Sequence, residues 1–550
     1  MEYSLPKFIP YVEKSIKEHW DQDALTDYMG ATQQFKDVAR IIEKLHILFE
    51  ESGIKKGDKI ALCGRNSANW GISFLGILTY GAVAVPILHE FKPENVHHIV
   101  NHSESKLLFV GDVVWPTLSI DEMPNLEGVI YLPDFSLSYS KNDQLTFARE
   151  NLNKMYGSKY PKYFRPEHVH YEEEESGETM AMINYTSGST GNSKGVMIPY
   201  RALASNLVFA YDVLPLKKGD HMISMLPMAH MYGMAFEFIY EFCKGCHIFF
   251  LTRLPSPKII FQAFQEVKPK AVISVPLIIE KIIKKSVLPK LQTPTMKVLM
   301  KVPILNDKIR QKVCKQMIDA FGGDFYEVII GGAAFNQEVE TFLFNMGFPF
   351  TVGYGTTECA PILGYIDYKD FKLGTCGKAA PRMDVRINSA DPQNIVGEII
   401  AKGPNVMLGY FKNPEATAAT IDKDGWYHTG DLGTIDADGY ITIRGRSKNM
   451  LLGANGQNIY PEEIEDKLNN LPLVSESVVV QREDKFYALV YADPDATNGM
   501  TPEDIKTQME QNRKDLNAAI PAYEQITAIE LQAQEFEKTP KKSIKRYLYK

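Results

Sequence analysis

A stretch of glycines, hydroxyl residues and one lysine, YTSGSTGNSKG at residues 185–195, has the composition of a phosphate-binding loop. Glycines let backbone N–H groups approach an anion closely, hydroxyls donate further hydrogen bonds, and Lys194 adds positive charge. It is not a Walker loop, because GK[ST] does not occur at the required spacing. Composition alone also fits a flexible linker. The strand signal MAMINYT before the loop and the periodic segment GVMIPYRALASNL after it favour a nucleotide loop in an open α/β sheet.

The chain ends in a basic segment, EKTPKKSIKRYLYK at residues 537–550, which holds five lysines and one arginine. Its residue types fit a solvated tail, a patch for an anionic partner, or the carrier of a catalytic lysine. The whole chain has a formal net charge of −8, which argues against general nucleic-acid binding. The segment alone does not choose among the three roles.

A cysteine motif, CKGCH at residues 243–247, matches the short pattern of c-type haem attachment. Haem attachment requires export, and the N-terminus has no basic start followed by an apolar core. A zinc site would need a second ligand pair, and none is apparent. Six cysteines in 550 residues fit reduced thiols, so we expect a cytoplasmic protein. The longest apolar run, residues 74–88, is too short to span a bilayer, although peripheral contact with a membrane surface stays open.

The elements that must position these groups alternate along the chain. Helical apolar spacing at residues 34–52 precedes the strand signal KIALC, and the alternation continues as far as VGYG. It predicts an α/β fold with parallel-rich sheets and helices on both faces. Short strands after residue 377 predict a small β-barrel-like subdomain, and mixed signals after residue 446 predict a compact α+β unit. We therefore predict a large domain at 1–446 and a small mobile domain at 447–550.

Ordered motifs along nearly the whole chain resemble the adenylate-forming superfamily of acyl-CoA synthetases, luciferases and nonribosomal adenylation domains. YTSGSTGNSKG is similar to the signature loop of that superfamily. The further motifs, in the superfamily's order, are GIKKGDKIALCGRNSANW (53–70), LPMAHMYG (226–233), GGAAF (331–335), GYGTTE (353–358), YHTGD (427–431), IRGRSKNM (443–450) and GQNIYPEEIE (456–465). LPMAHMYG, TTECAPILG and GQNIYPEEIE look most like bacterial long-chain fatty acyl-CoA ligases.

The resemblance implies a two-step reaction with ATP, Mg²⁺ and coenzyme A. A fatty acid joins the α-phosphate of ATP to give acyl-AMP with release of pyrophosphate, and coenzyme A then displaces AMP. Two alternatives stay open: an acyl-AMP ligase that hands its acyl group to a carrier protein, and an adenylate-binding protein with weak catalysis. The segments 227–235, 271–280 and 359–365 are mostly apolar, which fits a fatty acid of unread chain length. The sequence does not indicate an oligomeric state.

The resemblance also assigns nucleotide contacts to particular residues. The phosphate contacts implied are Thr186, Ser187, Gly188, Ser189, Thr190, Gly191 and Lys194. The base, ribose and α-phosphate contacts implied are Gly332, Ala333, Ala334, Tyr354, Gly355, Thr356, Thr357, Asp431, Ile443 and Arg446. Glu358 would bind Mg²⁺, which prefers oxygen ligands together with nucleotide phosphates. Outside this context, Glu358 and Asp431 would pass for ordinary surface carboxylates.

The remaining implied roles concern the carboxylate, the thiol and the small domain. His230 would lie beside the substrate carboxylate, although a lone histidine among apolar residues is usually a core residue. Lys448 would be the hinge of the mobile domain, and Gly456 would let the pantetheine arm pass close to the backbone. The superfamily carries an adenylation lysine in a motif close to KTPxGKIxR, and this chain has Ser543 at that position. Lys542 is the predicted substitute, with Lys545 and no lysine as the alternatives.

Overall fold

The structure is a computed structural model that describes residues 5–186, 193–252, 257–291, 293, 303–453, 457–483, 485–539 and 543–549. Within these ranges the α-helices, numbered α1 to α17 in chain order, are Ile9–Glu18, Phe35–Glu51, Ala68–Tyr80, Pro93–Ser103, Asp143–Lys159, Tyr200–Val213, Met231–Met234, Tyr240–Lys244, Pro257–Val267, Pro276–Ile282, Leu288–Leu291, Pro303–Ala320, Gln337–Met346, Pro414–Ala418, Pro461–Leu468, Pro494–Thr497 and Pro502–Ala519. Single π-helical turns cover Ala235–Ile239 and Ile283–Val287.

The strands, numbered β1 to β27 within the same ranges, are Asp23–Asp27, Thr32–Gln34, Lys59–Cys63, Val83–Ile87, Ser105–Val110, Gly128–Tyr131, Leu137–Ser140, Met180–Thr186, Lys194–Pro199, His221–Ser224, His247–Phe250, Val272–Ser274, Val328–Ile330, Phe350–Val352, Tyr354–Gly355, Ile362–Tyr365, Lys378–Ala379, Asp384–Asn388, Gly397–Lys402, Gly409–Tyr410, Tyr427–Ile435, Ile441–Arg446, Leu451–Leu452, Asn458–Ile459, Val474–Arg482, Lys485–Ala492 and Ile526–Leu531.

Parallel strands form the centre of the largest sheet. Its order is β20-β9-β8-β4-β3-β5-β6-β7, and β3 pairs in parallel with both β4 and β5. A second sheet has the order β10-β11-β1-β2, and β12, β13 and β14 form a parallel sheet of their own. Parallel neighbours require crossovers, which helices such as α3 and α4 provide. The α/β class expected from the alternating sequence signals is confirmed.

The segment 68–87 illustrates how local sequence selects these elements. Ser67 caps α3 by accepting a hydrogen bond from the Trp70 N–H at 3.1 Å. Gly81 ends the helix with φ of +84°, a conformation that disfavours other residues. The next five residues, VAVPI, form β4 and are all buried, as expected of a central parallel strand covered on both faces.

The β-rich region predicted after residue 377 is an open sheet rather than a closed barrel. Four antiparallel strands pair in the order β18-β19-β21-β22, and no pairing joins β18 to β22 in the part of the chain that the structure describes. The strands therefore form a platform whose last two members, β21 and β22, carry Asp431 and Arg446.

The C-terminal region has its own small sheet and core. Strands β25, β26 and β27 pair in that order, and the helices α15 and α17 pack against them. Its buried side chains include Ile464, Leu468, Val490 and Leu516. This matches the helix and strand order predicted from the sequence, while the division at residue 446 stays a prediction. None of the helices in the described ranges is long and apolar enough to cross a membrane.

Candidate active site

The predicted site residues that the structure describes all line one cleft of about 2080 Å³. They are Thr186, Lys194, His230, Gly332, Ala333, Ala334, Tyr354, Gly355, Thr356, Thr357, Glu358, Asp431, Ile443, Arg446 and Lys448. Ser187, Gly188, Ser189, Thr190, Gly191, Gly456 and Lys542 lie outside the described residues. Residues hundreds of positions apart in sequence therefore meet at one place.

One end of the cleft is a hydrogen-bonded cluster of Tyr354, Asp431 and Arg446, here called the ribose corner. Asp431 and Arg446 lie directly opposite each other on β21 and β22, and their Oδ1 and Nε atoms are 2.8 Å apart. The Tyr354 hydroxyl donates to Oδ2 of Asp431 at 2.7 Å. Burial raises the pKa of Asp431, which is 5% exposed, and the Arg446 guanidinium opposes that rise. Each carboxylate oxygen keeps a second lone pair, so Asp431 can also accept hydrogen bonds from vicinal hydroxyls.

Glycines bring the backbone close to the wall beside this corner. Gly332 follows β13 with φ of +87°. A Cβ on Gly331 would lie 3.2 Å from the Tyr232 ring, and a Cβ on Gly355 would lie 2.2 Å from the Pro361 carbonyl oxygen. The second distance is shorter than any real contact, so position 355 requires glycine. This flat backbone surface fits a planar base beside Tyr354.

The other polar part of the cleft, here called the phosphate corner, comprises Thr186, Lys194, Glu358 and Tyr410. Thr186 ends β8 and Lys194 begins β9, and the two residues are paired across the antiparallel ladder. The Lys194 ammonium is 4.7 Å from the centre of the Tyr410 ring. The Tyr410 hydroxyl donates to Oε1 of Glu358 at 2.9 Å. Burial raises the pKa of Tyr410, so the hydroxyl stays a donor.

The donor set at Glu358 fits Mg²⁺ that arrives with a nucleotide. Within the described ranges, no group of three or more His, Cys, Asp or Glu side chains could hold a metal ion. Mg²⁺ bound with nucleotides commonly takes one or two carboxylates and completes its shell with phosphates and water. Glu358 supplies one such carboxylate at the end of the cleft where Lys194 adds positive charge.

Buried polar side chains fix the loop that leads to His230. Glu237 accepts hydrogen bonds from the Met225 and Leu226 N–H groups at 3.0 and 2.8 Å. The Asn66 amide donates to the Leu226 carbonyl at 2.7 Å and accepts from the Met228 N–H at 2.9 Å. These peptide groups are therefore tied to two other parts of the fold, and the position of the histidine is set by the core.

The imidazole of His230 caps the following helix. Its Nδ1 accepts a hydrogen bond from the Tyr232 N–H at 3.3 Å, which leaves the ring proton of the neutral form on Nε2. A neutral His230 therefore carries its donor on the ring nitrogen that the cap does not use.

Apolar side chains line the part of the cleft beyond His230. The predicted walls contribute Met231, Tyr232, Ile273, Val275, Ile278, Ile362 and Tyr365. Further apolar lining that the sequence did not indicate comes from Phe209, Val213 and Leu214 on and just after α6, and from Leu251 after β11. A long apolar group in this part would contact side chains of several elements.

The basic C-terminal segment forms a short hairpin at the cleft. Backbone bonds join Lys545 N–H to the Glu537 carbonyl and Thr539 N–H to the Ser543 carbonyl, each at 2.8 Å. Arg546 makes a bidentate pair with the buried Glu465, with both N–O distances at 2.7 Å. Ser543 and Lys545 line the cleft. Lys545 is also 3.2 Å from Glu537 Oε2.

The lysine predicted as the hinge follows the last strand of the platform. Lys448 comes two residues after the end of β22, in a turn closed by the Asn449 N–H bond to the Arg446 carbonyl at 3.0 Å. Ile443 is 40% exposed and borders the same side of the cleft. The hinge role itself stays a prediction.

Comparison with known proteins gives a consistent picture. The AMP-binding enzyme family matches residues 12–411, and the AMP-binding enzyme C-terminal domain matches residues 448–549. The chain is 27% identical over 481 residues to the long-chain-fatty-acid–CoA ligase FadD15 of Mycobacterium bovis, covering 83% of this chain and 76% of the relative. It is 26% identical over 493 residues to a long-chain-fatty-acid–CoA ligase of Escherichia coli, covering 85% of this chain and 82% of the relative.

Two solved structures have a similar fold. The ATP-bound MatB of Rhodopseudomonas palustris superimposes with a TM-score of 0.76 at 21% identity, covering 98% of this chain and 97% of that chain. The anthranilate CoA ligase AuaEII in complex with anthranoyl-AMP gives a TM-score of 0.78 at 20% identity, covering 100% of this chain and 97% of that chain. Since the family match spans residues 12–411 and the motifs meet in one cleft, the chain belongs to the AMP-binding enzyme family.

Proposed function

We propose that this enzyme is an AMP-forming fatty acyl-CoA ligase. It joins a fatty carboxylate to the α-phosphate of ATP with release of pyrophosphate, and coenzyme A then displaces AMP. The observation that carries the proposal is the single cleft in which the ribose corner, the phosphate corner and the apolar lining beyond His230 are continuous. Relatives named long-chain-fatty-acid–CoA ligases in two bacteria support the same reaction.

In the first step the chain has to bring two anions together. Lys194 and the loop it closes would bind the β- and γ-phosphates, and Thr357 would contact the α-phosphate. Glu358 would hold Mg²⁺, which supplies positive charge to the phosphate oxygens when bound. His230 would lie beside the fatty carboxylate. Alignment of this kind lowers the barrier by positioning and charge neutralisation.

The second step needs no nucleophile from the protein. AMP is a good leaving group, so the coenzyme A thiol attacks the acyl carbon of the adenylate directly. The C-terminal domain, 447–550, would rotate about Lys448 between the two steps, and Gly456 would border the path of the pantetheine arm. The role of Gly456 rests on the sequence resemblance alone, because this residue lies outside the described ranges.

The test is ATP–pyrophosphate exchange with carboxylates from acetate to long-chain fatty acids, with and without coenzyme A. We expect exchange that depends on a fatty acid, followed by coenzyme A-dependent release of AMP. Exchange without thioester formation would point to a carrier protein as acceptor instead. No exchange with any acid would overturn the proposal. The most active acid in the panel would define the chain length that the apolar lining accepts.

A further inference from the structure

A contact between the C-terminal region and the nucleotide wall lies outside the site described above. Asn336 follows the wall residues Gly332–Ala334 in sequence and precedes helix α13 (Gln337–Met346). Its Nδ2 donates to Asp466 Oδ1 at 2.9 Å and to Asn470 Oδ1 at 2.8 Å. Asp466 lies on α15 (Pro461–Leu468), the first helix of the C-terminal sheet region. Lys284 Nζ donates to Asn470 Oδ1 at 2.9 Å from the other side.

The oxygen and the nitrogen of the Asn336 side-chain amide make different contacts. Its Oδ1 accepts from the Val339 N–H at 3.2 Å and so caps α13, whereas its Nδ2 reaches across to the C-terminal region. The residue is 5% exposed, and its backbone N–H donates to Glu280 Oε1 at 3.1 Å. A change at this position can therefore remove the cross-contact and leave the helix cap intact.

Carboxyl groups near Asn336 make this contact depend on the hydrogen bonds just described. Three carboxyl groups converge on it, those of Glu280, Glu340 and Asp466. Burial raises the pKa of each, that of Glu340 to about 7 with a further rise from the Asp466 charge. Like charges disfavour close approach, and Lys284 and the Asn336 amide offset that repulsion. The contact is therefore polar and depends on pairing each carboxyl group with a donor.

We propose that Asn336 is a latch that holds the C-terminal domain in the arrangement in which its hairpin faces the cleft. This inference rests on the proposed two-step function. In that arrangement Ser543 and Lys545 line the cleft beside the nucleotide residues, as adenylation requires. The latch residue is two positions after Ala334, the last wall residue of the base pocket, so an occupied pocket and a docked domain stabilise each other. Opening the latch frees the domain for the second step.

The decisive variant is Asn336→Asp. Aspartate caps helices as well as asparagine does, so α13 keeps its cap. The new carboxylate faces Asp466, and the side-chain donor of the latch is lost, whereas the Gln337 N–H still donates to Asp466 Oδ2 at 3.4 Å. Losing a buried hydrogen bond to a charged group corresponds to a fall of about tenfold to a hundredfold in ATP–pyrophosphate exchange. Thioester formation from chemically supplied acyl-AMP should fall by less than twofold.

A second substitution should restore the latch, and it distinguishes loss of the latch from general destabilisation of the fold. In Asn336→Asp combined with Asp466→Asn, the amide now lies on α15 and the acceptor lies at 336, so exchange should recover. Asn142→Asp is the matched control. Asn142 also caps a helix, through the Leu145 N–H at 3.1 Å, and its amide also donates to a carboxylate, Glu127 Oε2, at 2.9 Å. It lies far in sequence from the C-terminal region, and its change should leave exchange unaltered.

The position of the C-terminal domain can be measured without catalytic turnover. Labels for energy transfer at Lys162→Cys and Lys506→Cys, in a Cys314→Ser background, report the separation of the large and small domains. We expect Asn336→Asp to change the transfer efficiency and the added Asp466→Asn to restore it. Unchanged transfer in Asn336→Asp, equal losses in both half-reactions, or no rescue would each overturn the latch. Absence of exchange in the unmodified enzyme would instead overturn the proposed function, while the transfer measurement would still test the latch.

Discussion

Replacing Tyr410 by phenylalanine removes one hydroxyl from the phosphate corner. Tyr410 lies on the edge strand β20, which pairs with β9 immediately after the phosphate loop. Its hydroxyl donates to Glu358, and its ring lies under the Lys194 ammonium. Phenylalanine keeps a ring that can hold the cation, so the substitution isolates the hydrogen bond to Glu358.

The size of the effect follows from the burial of this contact. Tyr410 is 6% exposed, so solvent does not replace the lost donor freely. A hydrogen bond to a charged group contributes about 1.5–3 kcal/mol, and about 1.4 kcal/mol corresponds to a factor of ten. With its carboxylate no longer oriented, Glu358 should need roughly tenfold to a hundredfold more Mg²⁺ for half-maximal exchange. The apparent KM for the fatty acid should not change, because the apolar lining proposed for the acid comes from other elements than β20.

Two measurements check this expectation. ATP–pyrophosphate exchange is recorded against Mg²⁺ concentration for the unmodified enzyme and for Tyr410→Phe. Calorimetric binding of ATP with Mg²⁺ and with a chelator gives the same comparison without turnover. A double-mutant cycle with Glu358→Gln, measured by calorimetric binding of ATP with Mg²⁺, supplies the control, because the tyrosine effect on binding should vanish once the carboxylate is gone. An unaltered Mg²⁺ dependence, or an equal tyrosine effect in both backgrounds, would refute the reasoning.

Four further outcomes are expected. Glu358→Gln should abolish exchange, and residual Mg²⁺-dependent exchange would contradict that role. Lys448→Pro should spare exchange and impair thioester formation; a fall in both half-reactions would contradict the hinge. Lys542→Ala should reduce exchange more than Lys545→Ala, and full activity in both would mean that neither lysine serves adenylation. Burial raises the pKa of Glu241 to about 8 from 4.5 in the unfolded chain, so the folded state retains a proton between those values. The free energy of unfolding should then fall by about 1.4 kcal/mol per pH unit from pH 5 to 8. In Glu241→Gln, the urea midpoint of unfolding should depend less on pH over this range. An unchanged pH dependence in that variant would exclude Glu241 as the cause.

Local sequence signals predicted some of the parts of the site that lie within one element or one turn. The strand before YTSGSTGNSKG is β8, as MAMINYT indicated, whereas its partner β9, which begins at Lys194, was not predicted as a strand. The predicted short strands include ITIRGR, which carries Arg446, whereas no strand was predicted over YHTGD, which carries Asp431. Their direct opposition across the ladder completes the ribose corner.

Contacts between distant segments could not be predicted in this way. Tyr410 is 52 residues from Glu358 in sequence, and Asn66 is 162 residues from the Met228 N–H that it binds. No local periodicity encodes such pairings, because they depend on which strands become neighbours. One contact could have been predicted from the sequence and was not. Glu237 lies in the apolar segment AFEFIYEF, and a carboxyl group inside such a segment needs buried hydrogen-bond partners. Whether the β-rich region closes into a barrel depends on pairing between its edge strands β18 and β22, which the pattern of residues within a strand does not specify.

The C-terminal hairpin bears on the finding that Ser543, not lysine, stands at the position of the adenylation lysine. The backbone bond from the Thr539 N–H to the Ser543 carbonyl joins its two arms, and the pair of Arg546 with Glu465 attaches the second arm to α15. Lys542 immediately precedes Ser543, and successive Cα atoms are only about 3.8 Å apart. The four-carbon stem of a lysine side chain is longer than a shift of that size. A lysine one position earlier in the chain is therefore attached close to position 543, and Lys542 stays the predicted source of the positive charge for the proposed adenylation step.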